Sequence, residues 1–351
     1  MTTYERIAGL PLRVEGYSLE VLSLELTPEF RRLTTVIRLH GGGEEGVGED
    51  VCYEEAEHRS QAEAGPVLPL AGEFHLDGFS SHLGRLDLFH GGAAVRPMSL
   101  DYRRWAYESA ALDLALRQAG ASLADALERT PRPVRFVVST RLDEPPTAAR
   151  VADRLATEPS LRFKIDPTDD WSDELMAELA ALGAIETLDM KGQYEDVPFG
   201  VPKDPQTYAR VLAHFPDAWI EDARMSPDIR AVLAGHEHRL TWDAPIHSAA
   251  DIRALEWTPR MINVKPSRFG PVSRLFEAYD HLAAQEIGAY GGGQTELGPG
   301  RGQIQYLASL FHPDSPNDTA PSGYNEPVAP PDLPASPLPV AASRVGFRWG
   351  E

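Results

Sequence analysis

From Pro133 onward, short apolar runs of strand type alternate with amphipathic helical runs, and this alternation constrains the fold more than any other feature of the chain. The runs are VRFVVST, LRFKID, IETLDM, AWIEDA, RLTWDA, MINVK and IGAYGG. Strands separated by helical segments at this interval form parallel βαβ units, because a parallel neighbour can be reached only through a crossover. Seven such units exceed what most doubly wound sheets use in this length and approach an eight-stranded (β/α) barrel, with the eighth strand expected near Asn317 to Ala320. The first 130 residues follow another rule. Tyr17–Leu26 and Leu33–Leu39 alternate apolar and polar as half-buried strands do, and HGGGEEGVGED after them reads as a turn-rich acidic loop. Asp101–Gln118 has helical spacing, with Asp101 expected as its N-cap and Gly120 as its stop. The expected organisation is therefore an α/β protein: an α+β domain over residues 1–130 and a barrel over 131–321. The proline-rich residues 322–351 form neither central strand nor helix; an extended tail returning to the first domain is expected, with a disordered tail as the alternative.

Charge and cysteine usage narrow the function classes. Of 351 residues, 53 are acidic and 33 basic, a formal charge of −20 that repels nucleic acid and anionic membrane. Cys52 is the only cysteine, which excludes an internal disulfide and any multi-cysteine zinc or iron–sulfur site. The start MTTYERIAGL has no signal-peptide pattern, and no run reaches eighteen apolar residues, so a cytoplasmic enzyme acting on a small molecule is expected.

In a barrel, chemistry comes from the C-terminal ends of the strands. The third run ends in Asp189, the fourth in Glu221 followed by Asp222, and the fifth in Asp243. One acid after a strand is commonly a helix cap or a solvated residue. Three converging carboxylates repel one another unless a cation or protons neutralise them. An oxygen-only set suits a hard ion, so Asp189, Glu221 and Asp243 are the candidate ligands, with Mg²⁺ the first candidate ion and Mn²⁺ the second. Lysines stand at other strand ends. Lys164 and Asp166 (FKID) lie two apart and face the same side, as do Asp189 and Lys191, and Lys265 closes the sixth strand. Each lysine is either a neutralising partner of the acids or a working group; Lys265, across the barrel from Lys164, is the candidate base.

The stretch GGGQTELGPGRGQ, Gly291–Gln303, resembles a phosphate loop but lacks the Lys-Ser or Lys-Thr of a Walker sequence, and it sits near the end of the chain. A Rossmann-type dehydrogenase would also leave the strand-end acids without a role. The loop reads instead as the exit of the seventh strand, leading to a helix that starts near Arg301 and favours a negative group, either a substrate carboxylate or Glu296. Gln294 and Glu296 are the candidate substrate contacts. His40, Trp242, His247 and Arg268 either line the pocket or pack and cap, and the segments Leu12–Ser18 and Gly41–Cys52 are the candidate specificity loops.

These residues resemble the enolase superfamily, in its mandelate racemase and muconate lactonizing enzyme branch. ESAALDLALRQAG resembles the helix leading into that family's barrel, GQTELGPGRGQIQYLAS its seventh-strand loop and helix, and WIED its IEEP-type segment, whose first acid is the ligand and which makes Asp222 the weaker candidate. The resemblance implies a modified (β/α)8 barrel with an N-terminal α+β capping domain completed by the C-terminal tail, and Mg²⁺ held by Asp189, Glu221 and Asp243. It also implies abstraction of a proton α to a carboxylate through an enediolate, with symmetric homo-oligomers common among members. Two departures stand out. The Lys-x-Lys pair of the second strand is here Lys164-Ile-Asp166, and Asp-x-Asn of the third is Asp189-Met-Lys191. With one base missing, the expected reaction is a β-elimination in which Lys265 takes the proton and Lys164, Asp166 or Lys191 assists the leaving group or anchors the substrate. An epimerase, racemase or cycloisomerase of the same superfamily is the alternative, and a catalytically inactive metal- or ligand-binding homologue the alternative of another class.

Overall fold

The computed structural model describes residues 1–27, 30–194, 200–326, 330 and 332–350. Strands β1 (Pro11–Val14), β2 (Gly16–Thr27), β3 (Phe30–Gly41), β4 (Glu44–Asp50) and β5 (Gly72–His75) build the N-terminal part with the long helix Pro97–Gln118. β2, β3 and β4 form an antiparallel meander in that order, with Tyr17 opposite Leu39 and Ile37 opposite Gly48. β1 pairs separately with β5.

The segment expected as a loop, HGGGEEGVGED, contains β4. Its glycines are there for the helix rather than for a turn: a Cβ at Gly46 or Gly48 would overlap the Ala110 or Ala106 carbonyl of the long helix. The backbone-to-backbone approach that this permits buries Ala106 to Leu116 almost completely. The helix also starts earlier than expected. Pro97 is its first residue, as suits a ring with no N–H to leave unpaired, and Asp101 lies inside it, 3.1 Å from Arg274. Leu12–Ser18, expected as a loop, belongs to β1 and β2.

Three buried acids tie this helix and its sheet to the rest of the chain. Asp113 accepts from the Val47 N–H of β4 (3.0 Å) and the Phe347 N–H of the tail (2.7 Å), and pairs with Arg348 at 2.8 Å. Glu108 accepts from the Val272 N–H that opens the helix Val272–Ala284. Glu49 of β4 accepts from the N–H groups of Leu297, Gly298 and Gly300, at the start of the helix Pro299–Phe311. A carboxylate is the natural partner of helix N–H groups that have no carbonyl of their own.

The second part follows the alternation in the sequence. β6 (Val138–Thr140), β7 (Phe163–Ile165), β8 (Ile185–Asp189), β9 (Trp219–Glu221) and β10 (Leu240–Thr241) form one parallel sheet in sequential order, and β11 (Met261–Val264) pairs in parallel with β12 (Gly288–Gly291). The Asn263 N–H donates to the Trp242 carbonyl at 3.0 Å, linking β11 to the end of β10. The stretch expected as an eighth strand carries two isolated parallel bridges, Asn317 to Phe136 and Asp318 to Gly292. The tail runs back along the molecule, with Leu338 bridged to Val134 and Gly346 to Ser122. Among the described residues no helix is long and apolar enough to cross a membrane.

Candidate active site at the strand ends

Parallel strands deliver their last residues to one edge of the sheet, and here the register places Asp189 beside Glu221. Asp222 follows with a left-handed backbone (φ 50°), as does Lys191 (φ 51°), a conformation that costs a non-glycine residue energy and turns each side chain back toward the strand ends. Oxygens of Asp189, Glu221 and Asp222 lie within 4.8 Å of one another, and all three side chains are fully buried.

Lys164, one strand away on β7, reaches into this group. Its ammonium is 2.5 Å from Glu221 Oε1 and 3.0 Å from Asp189 Oδ2, with Asp318 Oδ2 at 3.7 Å. Burial alone favours the neutral amine, but Asp189 and Glu221 outweigh it and hold Lys164 protonated, well above the usual lysine range. Asp189 responds in the opposite sense. Burial raises its pKa, and Lys164 and Lys191, whose Nζ also contacts Asp189, pull it well below the usual carboxylate range. Glu221 also accepts from Asn263 Nδ2 (3.3 Å) and from the Tyr290 hydroxyl. Burial and repulsion from Asp189, Asp243 and Asp222 nevertheless push Glu221 up to about 8. Among the described residues Asp222 accepts only from the backbone N–H groups of Asp243 (2.8 Å) and Ala244 (3.0 Å), and burial with the charges of Asp243 and Asp189 raises it to about 7.

Asp243 has partners of its own. Lys265 Nζ is 2.8 Å away, Arg268 Nε 3.3 Å, and the Tyr194 hydroxyl 3.2 Å. Burial raises the Asp243 pKa, but Arg268 and Lys265 carry it well below the usual range. Arg268, which the sequence left between lining the pocket and packing, thus faces the acids and also donates to Tyr194 at 2.8 Å. Asp166 is drawn to the side, 2.9 Å from Arg141 and 3.7 Å from Lys191. His247 lies between the carbonyls of Arg268 and Ala244, while His40 contacts Ser18 and Glu45 in the cap.

At the seventh-strand exit, Gln294 Oε1 accepts from Tyr53 at 2.8 Å, and Glu296 Oε1 from the Gln294 N–H at 2.7 Å. Gln294 Nε2 and Glu296 Oε2 are buried without a hydrogen-bond partner among the described residues. The helix that follows starts at Pro299, and the anion at its N-terminus is Glu49 from the cap, where the sequence suggested a substrate or Glu296. Arg32, fully buried, donates to the carbonyls of Val51, Cys52, Gln294 and Thr295, so one guanidinium joins the cap to this loop. Nothing in its neighbourhood, FRRLT, signals that role, because all four acceptors are backbone groups remote in sequence. Gly292 is constrained here too: a Cβ would stand 2.9 Å from both Lys265 Cε and Asn263 Oδ1.

The N-terminal domain of a family described as a domain of unknown function, DUF8230, matches residues 5–126, and its C-terminal domain matches residues 130–326. The chain belongs to the DUF8230 family. No curated protein matches it in sequence. Among solved structures, this DUF8230 chain is similar to a member of the enolase superfamily from Listeria innocua Clip11262 (17% identity, 88% of this chain and 85% of that one, TM-score 0.63). It is similar also to muconate cycloisomerase from Pseudomonas fluorescens (17% identity, 97% and 95%, TM-score 0.63). A third similar structure is a dipeptide epimerase from Methylococcus capsulatus complexed with Mg ion (16% identity, 87% and 89%, TM-score 0.60). The DUF8230 chain therefore has the fold of the enolase superfamily and of its racemase and cycloisomerase branch, reached at low identity.

Proposed function

We propose that this protein is a metal-dependent enzyme that removes a proton α to the carboxylate of a small molecule, on a modified (β/α) barrel covered by its N-terminal part and tail. The observation that carries the reading is the buried trio Asp189, Glu221 and Asp222 at adjacent strand ends, in a fold that includes a Mg-complexed epimerase. The donor set fits a hard divalent ion: every ligand atom is a carboxylate oxygen, and no cation lies in ion-pair contact with Asp222 among the described residues. Asp189 and Glu221 would hold Mg²⁺ or Mn²⁺, with Asp222 or Asp243 as the third ligand. When bound, such an ion supplies the positive charge that offsets what develops on a substrate carboxylate as its α-proton leaves.

The chain's own groups have distinct tasks in this reading. Lys265 takes the proton. Arg268 shares Asp243 with it, so Asp243 keeps a cationic partner while Lys265 exchanges its proton with substrate. Lys191, between Asp189 and Asp166, is placed to donate to a departing β-substituent, while Gln294 and Glu296 orient the substrate through their unpaired polar atoms. Asp166, where the second base of a racemase would stand, is engaged by Arg141 and Lys191, which supports elimination over epimerisation. The test is incubation with Mg²⁺ in deuterium oxide and a panel of acid sugars, amino acids and dipeptides, followed by mass spectrometry. Deuterium uptake or an elimination product is expected, with Lys265→Ala reducing it by about 10²-fold or more. Undiminished exchange in that variant would remove Lys265 as the base, and metal binding without turnover on any carboxylate would point to a binding protein.

A further inference from the structure

Of the 33 basic residues only four are lysines, Lys164, Lys191, Lys203 and Lys265, and three of these stand in the strand-end cluster. A chain that uses arginine almost everywhere else keeps the compact ammonium where it meets buried carboxylates. Arginine would fix a planar fork there; lysine is a point charge on a flexible stem and can change partners.

From this we propose that Lys164 is a built-in competitor for the metal, a tethered cation that holds Glu221 and Asp189 until a divalent ion displaces it, and that Asp318 receives it afterwards. The inference rests on the metal reading given above. Its geometry is specific. Lys164 Nζ contacts oxygens of two of the three acids that would hold the ion, at 2.5 and 3.0 Å, so ammonium and metal compete for the same carboxylates. Lys164 is 1% exposed, and among the described residues its only other acid within ion-pair range is Asp318 at 3.7 Å. Asp318 is less enclosed (18% side-chain exposure) and lies on the bridged stretch beside Gly292. Each state is neutralised: the ammonium serves Glu221 and Asp189 before metal enters, and Asp318 when it has entered. A buried charge without a partner is costly, and this exchange avoids one at both ends.

The experiment is calorimetric titration with Mn²⁺ and Mg²⁺ of the wild-type protein, Lys164→Met and Asp318→Asn, combined with thermal unfolding with and without the metal. Removing the competitor should tighten metal binding by about tenfold or more, and removing the landing site should weaken it several-fold. Lys164→Met should also unfold at lower temperature than wild type without metal and recover more of that loss on metal addition than wild type gains. Equal or weaker affinity in Lys164→Met overturns the competition while leaving the metal site standing. Should that variant fail to fold, unchanged affinity in Asp318→Asn overturns it. Metal bound by none of the proteins overturns both this inference and the metal reading.

Discussion

Two assemblies of buried charge in this molecule use the same residue types and are finished to different degrees. In the cap, Asp50 and Arg103 are 0% and 1% exposed and paired at 2.8 Å. Each nitrogen of Arg103 donates: Nε to Asp50, Nη1 to the Leu88 carbonyl and Nη2 to the Glu57 carbonyl, with Cζ 4.0 Å from the Phe89 ring centre. The other oxygen of Asp50 accepts from the Cys52 N–H. At the strand ends, Asp166 Oδ1 and Asn263 Oδ1 are buried with no hydrogen-bond partner among the described residues, Asp243 Oδ1 and Arg268 Nε face each other at 3.3 Å as an ion pair without hydrogen-bond geometry, and Glu221 and Asp222 hold pKa values far above those of ordinary carboxylates. Buried polar groups are satisfied almost everywhere in folded proteins, so a cluster of exceptions marks a place organised for something besides stability. The cap pair is complete as it stands. The strand-end cluster keeps carboxylates of raised pKa and unsatisfied polar atoms side by side, as the proposed metal site requires.

That contrast breaks most visibly at Arg103. Arg103→Met keeps the apolar stem but strands Asp50 without its counter-charge, and breaking a buried pair in this way costs about 3–5 kcal/mol. Urea unfolding should show the loss, and neither Mg²⁺ nor Mn²⁺ should restore any of it, because no open ligand position exists beside Asp50. Metal rescue of this variant would dissolve the distinction between the two assemblies.

The same distinction explains what could be read in the sequence. Asp189 and Glu221 end apolar runs, so strand periodicity and the parallel arrangement suffice to bring them together. β4 was hidden because glycine signals a turn locally, whereas Gly46 and Gly48 are required by a helix some 60 residues further on. Lys164 and Glu221 are 57 residues apart and Glu49 and Gly300 are 251 apart, so no local pattern encodes either partnership. Asp222 is brought to Asp189 and Glu221 by its left-handed backbone, a conformation that the run WIEDAR does not announce. Periodicity places backbone; which cation faces which acid is decided by packing across the sheet.

A buried polar network without formal charge lies between the two cases. His312 Nδ1 donates to Asn317 Oδ1 at 2.6 Å, which leaves Nε2 of the neutral ring to accept from the Tyr279 hydroxyl at 3.0 Å, and burial pushes the pKa of the ring down to about 4. Above the ordinary histidine value near 6.5 the ring is neutral in both folded and unfolded chains, and its contribution to stability is fully present. As pH falls through the window from about 6.5 to about 4, the unfolded chain takes up a proton that the folded chain refuses. Stability is lost across that window, on the order of 3 kcal/mol at the acid end. Unfolding measured at pH 7 and pH 4 should show a shallower acid loss for His312→Gln than for wild type. Identical pH slopes would mean that the folded network accepts the proton and is closer in kind to the open site than to the cap.

The smallest effect is expected where ion pairs meet water. Arg135 and Glu186, near the opposite ends of the strands from the acid cluster, form a pair with side chains 38% and 21% exposed, and Arg162 approaches the same carboxylate at 3.7 Å. With solvent on one side and a second arginine in reserve, Glu186 is never left uncompensated, so Arg135→Gln should cost less than about 1 kcal/mol. The remaining loss should shrink further in high salt, since exposed charges are screened over roughly 10 Å at 0.1 M. Unfolding of Arg135→Gln at low and high salt checks both statements. A loss as large as that of Arg103→Met, insensitive to salt, would show that ion pairing at the strand starts is as structural as in the cap, and burial would no longer separate the two kinds of charge.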